Sequence, residues 1–159
     1  MAWRDFWHNG TCYGLTHLND VECVIDLDGT PVTVRYTFGP HTFTDEKENG
    51  PHFYPVRHER RYICRRRHAL SFEVAPFMQQ QFLEGHVRQH FSRNGEQWFT
   101  TELDGAAVFT AIQKSVDADS EIKVRVISSY PLDRGLQTVP THGALYKVRT
   151  LFKRKLVGR

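Results

Sequence analysis

The chain has 159 residues, of which 40% are hydrophobic and 13% aromatic, enough for one ordinary core but not for a second. No window approaches the roughly 18 uninterrupted apolar residues of a membrane-spanning helix, and the start of the chain does not resemble a secretory signal. The three cysteines lack C-x-x-C spacing and are typical of reduced thiols. These features predict one cytoplasmic domain over 1–159, with no membrane association.

The net charge is only +3, but the positive charge is concentrated in two segments. Six arginines and one glutamate lie in segment 57–68, and three lysines and three arginines without an acid lie in segment 147–159. Arginine-rich segments suit bidentate contacts with phosphate, so the two predict one anion-binding surface if the fold brings them to the same face. The alternative is that each run is simply a solvated part of the surface. The predicted nucleic-acid-binding residues are Arg57, Arg60, Arg61, Arg65, Arg66, Lys147, Lys153, Arg154 and Lys155.

The first predicted element is a β-hairpin with strands at 22–28 and 30–38. Its turn contains Asp28-Gly29, a dipeptide typical of type I′ turns. The polar segment 39–55, with three prolines, predicts an exposed loop.

The middle of the chain is harder to assign. Segment 61–72 is compatible with either a strand or the start of a helix. Segment 75–84 predicts a short amphipathic helix, because Phe77, Met78 and Phe82 recur at helical spacing and Gly85 follows.

The second half of the chain predicts a run of strands. Asn94-Gly95 and Asp104-Gly105 are turn signals between alternating segments. The predicted strands are 87–91, 97–103, 106–116, 121–130 and 145–157. Together these elements predict an α+β fold: a short helix followed by an antiparallel β-meander of about five strands, with an N-terminal β-hairpin.

One string, Val-Ile-Asp-Leu-Asp-Gly-Thr at 24–30, matches the nucleophile loop of haloacid-dehalogenase-type phosphatases. The sequence after it continues as a strand. The lysine and the acidic pair that this chemistry needs later in the chain, to hold magnesium, do not occur in the required order. We therefore interpret the string as a hairpin turn. The sequence also has no P-loop, G-x-G-x-x-G or G-x-S-x-G motif, so we predict no cofactor and no metal.

Nine histidines are many for this length, and several neighbour arginine or hydroxyl residues. A metal-independent ribonuclease needs a base, an acid and a cation that holds the phosphorane, and histidine and arginine supply these roles near neutral pH. The candidate catalytic residues are His41, His68, Arg67, Tyr130 and Arg149. The alternative is that His41 and His68 are surface residues or hydrogen-bonded structural residues without a catalytic role.

Aromatic residues beside cations suggest a different function, the binding of a single nucleic-acid strand. Trp98, Phe99, Tyr62 and Tyr146 can act as stacking platforms for the bases of a single strand, or they can pack in the core. Because side chains alternate along a strand, only one of Trp98 and Phe99 can face outward.

Several stretches resemble a group of poorly characterised bacterial proteins of phages and other mobile elements. The stretches are Tyr-Thr-Phe-Gly-Pro-His-Thr-Phe-Thr at 36–44, the run at 62–70, Trp-Phe-Thr-Thr-Glu at 98–102, the segment 124–134 and Lys-Val-Arg at 147–149. The order of a helix and then a meander is also similar to the barnase and RelE-like ribonuclease toxins, by analogy of topology alone.

These observations lead to a functional hypothesis with an alternative. We expect a nucleic-acid-directed protein of a mobile element that binds RNA or another nucleic acid and acts as a metal-independent endoribonuclease toxin. A small acidic inhibitor protein or a host protein is the expected protein partner. The alternative is a non-catalytic module of a phage that binds nucleic acid or a host protein through the same residues.

Overall fold

The computed structural model describes residues 2–133 and 142–158. Eleven strands and two helices lie in these ranges. They are β1 (Phe6–His8), β2 (Thr11–Tyr13), β3 (Val21–Leu27), β4 (Thr30–His41), β5 (Thr44–Asp45), β6 (Tyr62–Ile63), α1 (Arg65–Gln80), β7 (His86–Phe91), β8 (Gln97–Leu103), β9 (Ala106–Lys114), β10 (Glu121–Pro131), β11 (Leu145–Lys147) and α2 (Val148–Leu156). Short 3₁₀ turns occur at Thr16–Leu18 and Phe82–Glu84. None of the helices in the described ranges is long and apolar enough to cross a bilayer.

The predicted α+β class is confirmed, but the predicted antiparallel meander is wrong. Seven strands form one sheet in the order β11-β7-β8-β9-β10-β4-β3. β4 and β10 run parallel, while their other neighbours are antiparallel. A parallel pair needs a long crossover, which here includes α1 and β7 to β9, so the N-terminal hairpin joins the later strands in one mixed sheet.

The N-terminal hairpin is confirmed. β3 and β4 pair in antiparallel register from Val21↔Tyr36 to Leu27↔Thr30. Asp28 and Gly29 have φ values of 51° and 86°, as a type I′ turn requires.

The prediction of an exposed loop over 39–55 is wrong in part. β4 continues to His41, and Thr44 and Asp45 form β5. Phe43 and Phe53 are 0% and 2% exposed, because their rings pack edge to face at 5.0 Å in the core. Buried aromatic side chains therefore fix a segment whose polar composition predicts a loop.

Helix α1 begins ten residues before the predicted start of a helix. Its N-cap residue Cys64 forms no side-chain cap, and the three arginines of the first turn oppose the helix dipole. Pro76 lies inside the helix, at a place where a sequence rule expects a helix start. Tertiary burial overrides these local signals through Leu70, Val74, Ala75 and Met78, which face the core.

The predicted strand over 145–157 is also wrong. Only Leu145–Lys147 forms a strand, and Val148–Leu156 is helix α2. Val148, Leu151 and Phe152 follow the i, i+3, i+4 spacing of one helical face, and all three are buried. The pattern of apolar and basic residues fits both the two-residue period of a strand and the 3.6-residue period of a helix. The helix forms because it buries its apolar face.

The sheet buries one face, while part of the other stays open. Ile122, Val124 and Val126 of β10 are fully buried, and Arg125 between them is exposed. A β-bulge between Val126 and Ser128 shifts the register of β10 against both β4 and β9. Arg125 and the bulge therefore mark the open face beside the end of β4.

Candidate active-site cavity

The fold commits three of the six arginines of the predicted arginine-rich segment, Arg61, Arg66 and Arg67, to partners within the protein. The Arg61 side chain is only 4% exposed, and it donates to Thr44 Oγ1 at 3.0 Å and to the Thr44 carbonyl at 2.9 Å, with Glu46 at 3.4 Å. Arg66 forms a bidentate pair with Asp133, at 2.5 and 2.9 Å. Neither guanidinium has its full charge available for a phosphate.

Arg67 is also committed to the protein. Its Nη1 donates to the carbonyl oxygens of His41 at 3.0 Å and Thr44 at 3.1 Å, and its guanidinium lies 5.6 Å from the ring centre of Tyr130. Burial lowers the pKa of Arg67. This arginine anchors the start of α1 to the end of β4.

The C-terminal basic residues are engaged in a similar way. Arg149 donates to both oxygens of Glu84 and to the Asp26 carbonyl, and Lys153 pairs with Asp28. Arg154 lies over the Tyr146 ring at 5.1 Å, and Lys155 donates to Gln97 at 2.7 Å. Lys147 is exposed; Arg159, like Arg134 of the resembling stretch 124–134, lies outside the described residues.

The two basic segments do not form the single surface that the sequence analysis required. Arg67 contacts His41, the last residue of β4, whereas Lys153 contacts Asp28, which precedes its first residue. With about 3.3 Å per residue, these two ends of the twelve-residue strand lie roughly 35 Å apart. The segments therefore lie at opposite ends of the sheet.

The five catalytic candidates divide in the same way. His41, Arg67 and Tyr130 meet at the end of β4, as the contacts of Arg67 show. His68 Nε2 bonds to the Gly14 carbonyl at 2.8 Å, so it serves the packing of α1 on the N-terminal segment. Arg149 lies at the other end of the sheet with Glu84.

A cavity of about 820 Å³ opens beside His41, within the usual size range of ligand sites. We call it the His41 cavity. Three parts of the chain enclose it: the N-terminal segment, the end of β4 with the bulged part of β10, and the loop before β6. Its lining includes Trp3, Arg4, Asp5, Phe6, Pro40, His41, Phe53, Tyr54, Val56, Arg57, His58, Glu59, Arg125 and Ile127.

Aromatic packing holds the cavity walls in place. Phe53 lies 5.1 Å from Phe6 and 5.0 Å from Phe43 between ring centres, and its backbone N–H donates to the Arg61 carbonyl at 2.8 Å. The indole N–H of Trp3 donates to the Phe38 carbonyl at 3.0 Å. The loop that carries residues 57–59 is therefore tied to the core next to β4.

His41 and Glu59 form a hydrogen-bonded pair in this cavity. His41 Nε2 lies 2.7 Å from Glu59 Oε1, and the two side chains are 34% and 30% exposed, so solvent and ligand can reach them. His58 Nε2 lies 3.6 Å from the same oxygen, and the His58 side chain is 81% exposed. The carboxylate thus orients the His41 ring by a hydrogen bond, while the His58 ring lies only within ion-pair distance of it.

The protonation state of Glu59 determines which nitrogen of His41 is basic. Burial raises the pKa of Glu59, but the hydrogen bond from His41 and the charges of His41, Arg61 and His58 outweigh it, so the pKa lies below the usual value. The ionised carboxylate only accepts, so Nε2 carries the proton of this hydrogen bond. When His41 is neutral, Nδ1 holds the lone pair and can accept a proton.

The cavity also contains cations without a partner. Arg57 and Arg125 form no hydrogen bond or ion pair with any residue in 2–133 or 142–158, and Arg4 lines the same space. The three lining arginines outnumber the two lining carboxylates, of which Asp5 accepts from the Leu15 N–H at 3.0 Å and Glu59 from His41. The cavity is therefore suited to an anion.

Sequence reasoning found only part of this site. It selected His41 and Arg57, but it treated Glu59 as one acid within a basic run, gave His58 no catalytic role and did not consider Arg4. The adjacent pair His58-Glu59 is the only local signal, and it gains meaning when the loop returns to the end of β4.

No curated protein and no solved structure matches the chain. A family model matches residues 5–156, a range that begins at the Asp5 wall of the cavity and ends with the last residue of α2. Because this match covers the mixed sheet, both helices and nearly the whole cavity lining, the chain belongs to the YjaZ family.

Proposed function

We propose that the chain binds single-stranded RNA in the His41 cavity and cleaves it without a metal ion. The observation that carries the proposal is the 2.7 Å contact between His41 and Glu59 in a cavity that also contains Arg57 and Arg125, two arginines without a partner in 2–133 and 142–158. A base oriented by a carboxylate, next to cations for a phosphate, is the minimum that transfer of a phosphodiester to its own 2′-hydroxyl requires.

The proposed step balances as follows. His41 Nδ1 takes the proton of the 2′-hydroxyl, and the 2′-oxygen forms a bond to phosphorus. The bond from phosphorus to the 5′-oxygen breaks, and protonated His58 gives its proton to that leaving oxygen. Arg57 and Arg125 hold the non-bridging oxygens, whose charge increases in the transition state. The products carry a 2′,3′-cyclic phosphate and a 5′-hydroxyl.

The proposal retains RNA as the partner but changes the residues that bind it. Arg57 remains in the predicted role, and Arg125 and Arg4 replace the paired arginines of the basic segments. An acidic inhibitor protein of a mobile-element toxin would bind the same unpaired cations. A non-catalytic nucleic-acid module is the alternative, and it requires the arginines without the histidines.

The test is cleavage of a labelled RNA strand in EDTA by the wild-type protein, His41→Ala and His58→Ala. Each substitution should lower the rate by about 100-fold or more, because it removes general base or acid catalysis. His86→Ala is the matched control, since His86 is an exposed histidine outside the cavity lining.

A second strand with 2′-deoxyribose throughout separates binding from chemistry. It should bind like RNA but remain intact, because it lacks the attacking hydroxyl. Cleavage that needs a divalent ion, or that His41→Ala leaves unchanged, would reject the mechanism. Binding of both strands without cleavage of RNA would favour the non-catalytic alternative.

A further inference from the structure

A second cavity, of about 650 Å³, lies next to the first on the open face of the sheet. We call it the Trp98 cavity. Its walls come from β8, β9, β10 and the end of α2. The lining residues are Glu96, Gln97, Trp98, Ala111, Ile112, Gln113, Lys114, Arg125, Ile127, Lys155 and Gly158.

The two cavities share a wall. Arg125 and Ile127 line both of them, so the unpaired guanidinium of Arg125 can reach a ligand on either side. Arg125 is the cross-strand partner of Ala111 of β9. Because the alanine side chain is small, it leaves open space above the sheet at the floor of the cavity. Phe99 pairs with Thr110, which places Trp98 of β8 level with Ala111. Two strand spacings, about 10 Å, therefore separate Arg125 from Trp98.

Trp98 stands at the far side of this floor with a fixed orientation. It is the cross-strand partner of His90, and the two rings meet edge to face at 5.8 Å with an angle of 88°. Trp98 is half-buried, whereas its neighbour Phe99 is 0% exposed and belongs to the core. Of the two aromatic residues, Trp98 is thus the one presented to a ligand.

The charges around Trp98 also favour an anion. Lys114 lines the cavity with Arg125, and Glu96 is the one acid among the described lining residues. Lys155 also lines the cavity, but its amine donates to Gln97 at 2.7 Å and lies over the ring of the core residue Phe99. Lys114 has only a distant partner, Asp119 at 3.9 Å, on a fully exposed side chain. Such a weak surface pair yields easily to a phosphate.

We infer that the two cavities form one groove for an extended single strand of RNA, in which Arg125 binds a phosphate at the junction and Trp98 stacks on a base. This inference rests on the proposed function and adds the path of the substrate beyond the scissile phosphate. An aromatic ring bordered by cations accepts any base, so the groove selects single strands rather than a sequence.

The test compares two fluorescent oligouridine probes with 2′-deoxyribose, a short one of about three nucleotides and a long one of about twelve. Only the long probe lies within the span that single-strand-binding domains cover. Trp98→Ala should weaken binding of the long probe about tenfold and leave the short probe, which fills the His41 cavity alone, unchanged. Trp98→Tyr should retain most of the affinity, because it keeps a stacking ring. Trp7→Ala is the matched control, since Trp7 is 65% exposed and lines neither cavity.

A second measurement does not depend on the folding of the alanine variant. The long probe should quench tryptophan fluorescence of the wild-type protein, and the quenching should shrink in Trp98→Tyr. The inference is overturned if both probes lose affinity equally in a folded Trp98→Ala, if neither does, or if Trp98→Tyr shows the wild-type quenching. Failure of both probes to bind the wild-type protein would instead refute the proposed function itself.

Discussion

The two basic segments and the His41 cavity contain the same kind of side chain in opposite states. In the segments, Arg66 and Arg149 each form a bidentate pair with a carboxylate of the protein. In the cavity, Arg57 and Arg125 have no partner in the described ranges. A run of formal charge in the sequence therefore does not locate the binding surface, because a ligand phosphate must compete with every internal carboxylate for a paired guanidinium.

The largest expected effect comes from removing the cavity cations. The double variant Arg57→Ala with Arg125→Ala should weaken binding of single-stranded RNA by about 100-fold, since each charged hydrogen bond contributes about 1.5–3 kcal/mol. Fluorescence anisotropy with a 2′-deoxy analogue measures this loss without cleavage.

The matched control for that variant removes two arginines from the basic segments instead. Arg66→Ala with Arg149→Ala changes the net charge equally but should leave affinity within about threefold of the wild type, because only exposed surface pairs are lost. Equal losses in the two double variants would remove the distinction between segments and cavity.

A second way to sharpen the comparison concerns Arg67, which belongs to the basic segment but serves the fold. Arg67→Met should lower the free energy of unfolding by about 2–3 kcal/mol, because the carbonyls of His41 and Thr44 lose their donor. Chemical denaturation measures the change. Arg65→Met, two residues earlier at an exposed site, should be neutral or slightly stabilising, since it removes a cation from the N-terminus of α1. Similar losses in both variants would contradict the structural role.

The smallest expected effect concerns His17, a half-buried histidine outside the cavity. His17 Nε2 lies 2.7 Å from Ser71 Oγ, and its ring stacks on Phe72 at 3.8 Å. Burial, and then the charge of His68, lower its pKa from 6.5 to about 4, against an opposing contribution from Asp5. Between these values the unfolded chain binds the proton more strongly, so stability should fall as the pH decreases from about 6.5 to about 4.

The size of this pH effect is about 1 kcal/mol, since His17 is only partly buried and solvent screens its charge. Denaturation curves at several pH values measure it. His17→Gln keeps a polar contact for Ser71 but cannot titrate, so its stability should depend less on pH in that window. An unchanged pH dependence in His17→Gln would assign the effect to another group.

Local chemistry explains which parts of the fold the sequence predicted correctly. The hairpins around Asp28-Gly29 and between β7 and β8 follow from turn residues and alternation, which act within a few residues. The parallel pairing of β4 with β10 joins residues almost ninety positions apart, such as Val34 and Ile122, and no local pattern encodes it.

The bounds of the two helices were predicted wrongly for a different reason. α1 begins with three arginines and no cap, and α2 carries an alternation that also fits a strand. In both, the deciding term is burial of one helical face against the sheet, through residues such as Val74 and Phe152. That term depends on the tertiary fold rather than on propensity.

The site could be predicted only to the level of residue types. Histidine beside hydroxyl and arginine residues led to His41, but the partner that makes it a base, Glu59, lies eighteen positions later in a loop that Phe53 anchors. Arg125 lies in the predicted strand 121–130 and was not among the predicted site residues. The cavity depends on the pairing of β10 with the end of β4 and on the bulge in β10, neither of which the sequence predicted.

The salt dependence of RNA binding tests most directly whether unpaired cavity cations hold the phosphates. For single strands, the slope of log affinity against log salt changes by about 0.7 for each phosphate contact, so the Arg57→Ala, Arg125→Ala variant should have a slope shallower by about 1.4. The Arg66→Ala, Arg149→Ala variant should keep the wild-type slope. A flattened slope in the second variant with an unchanged slope in the first would contradict the account.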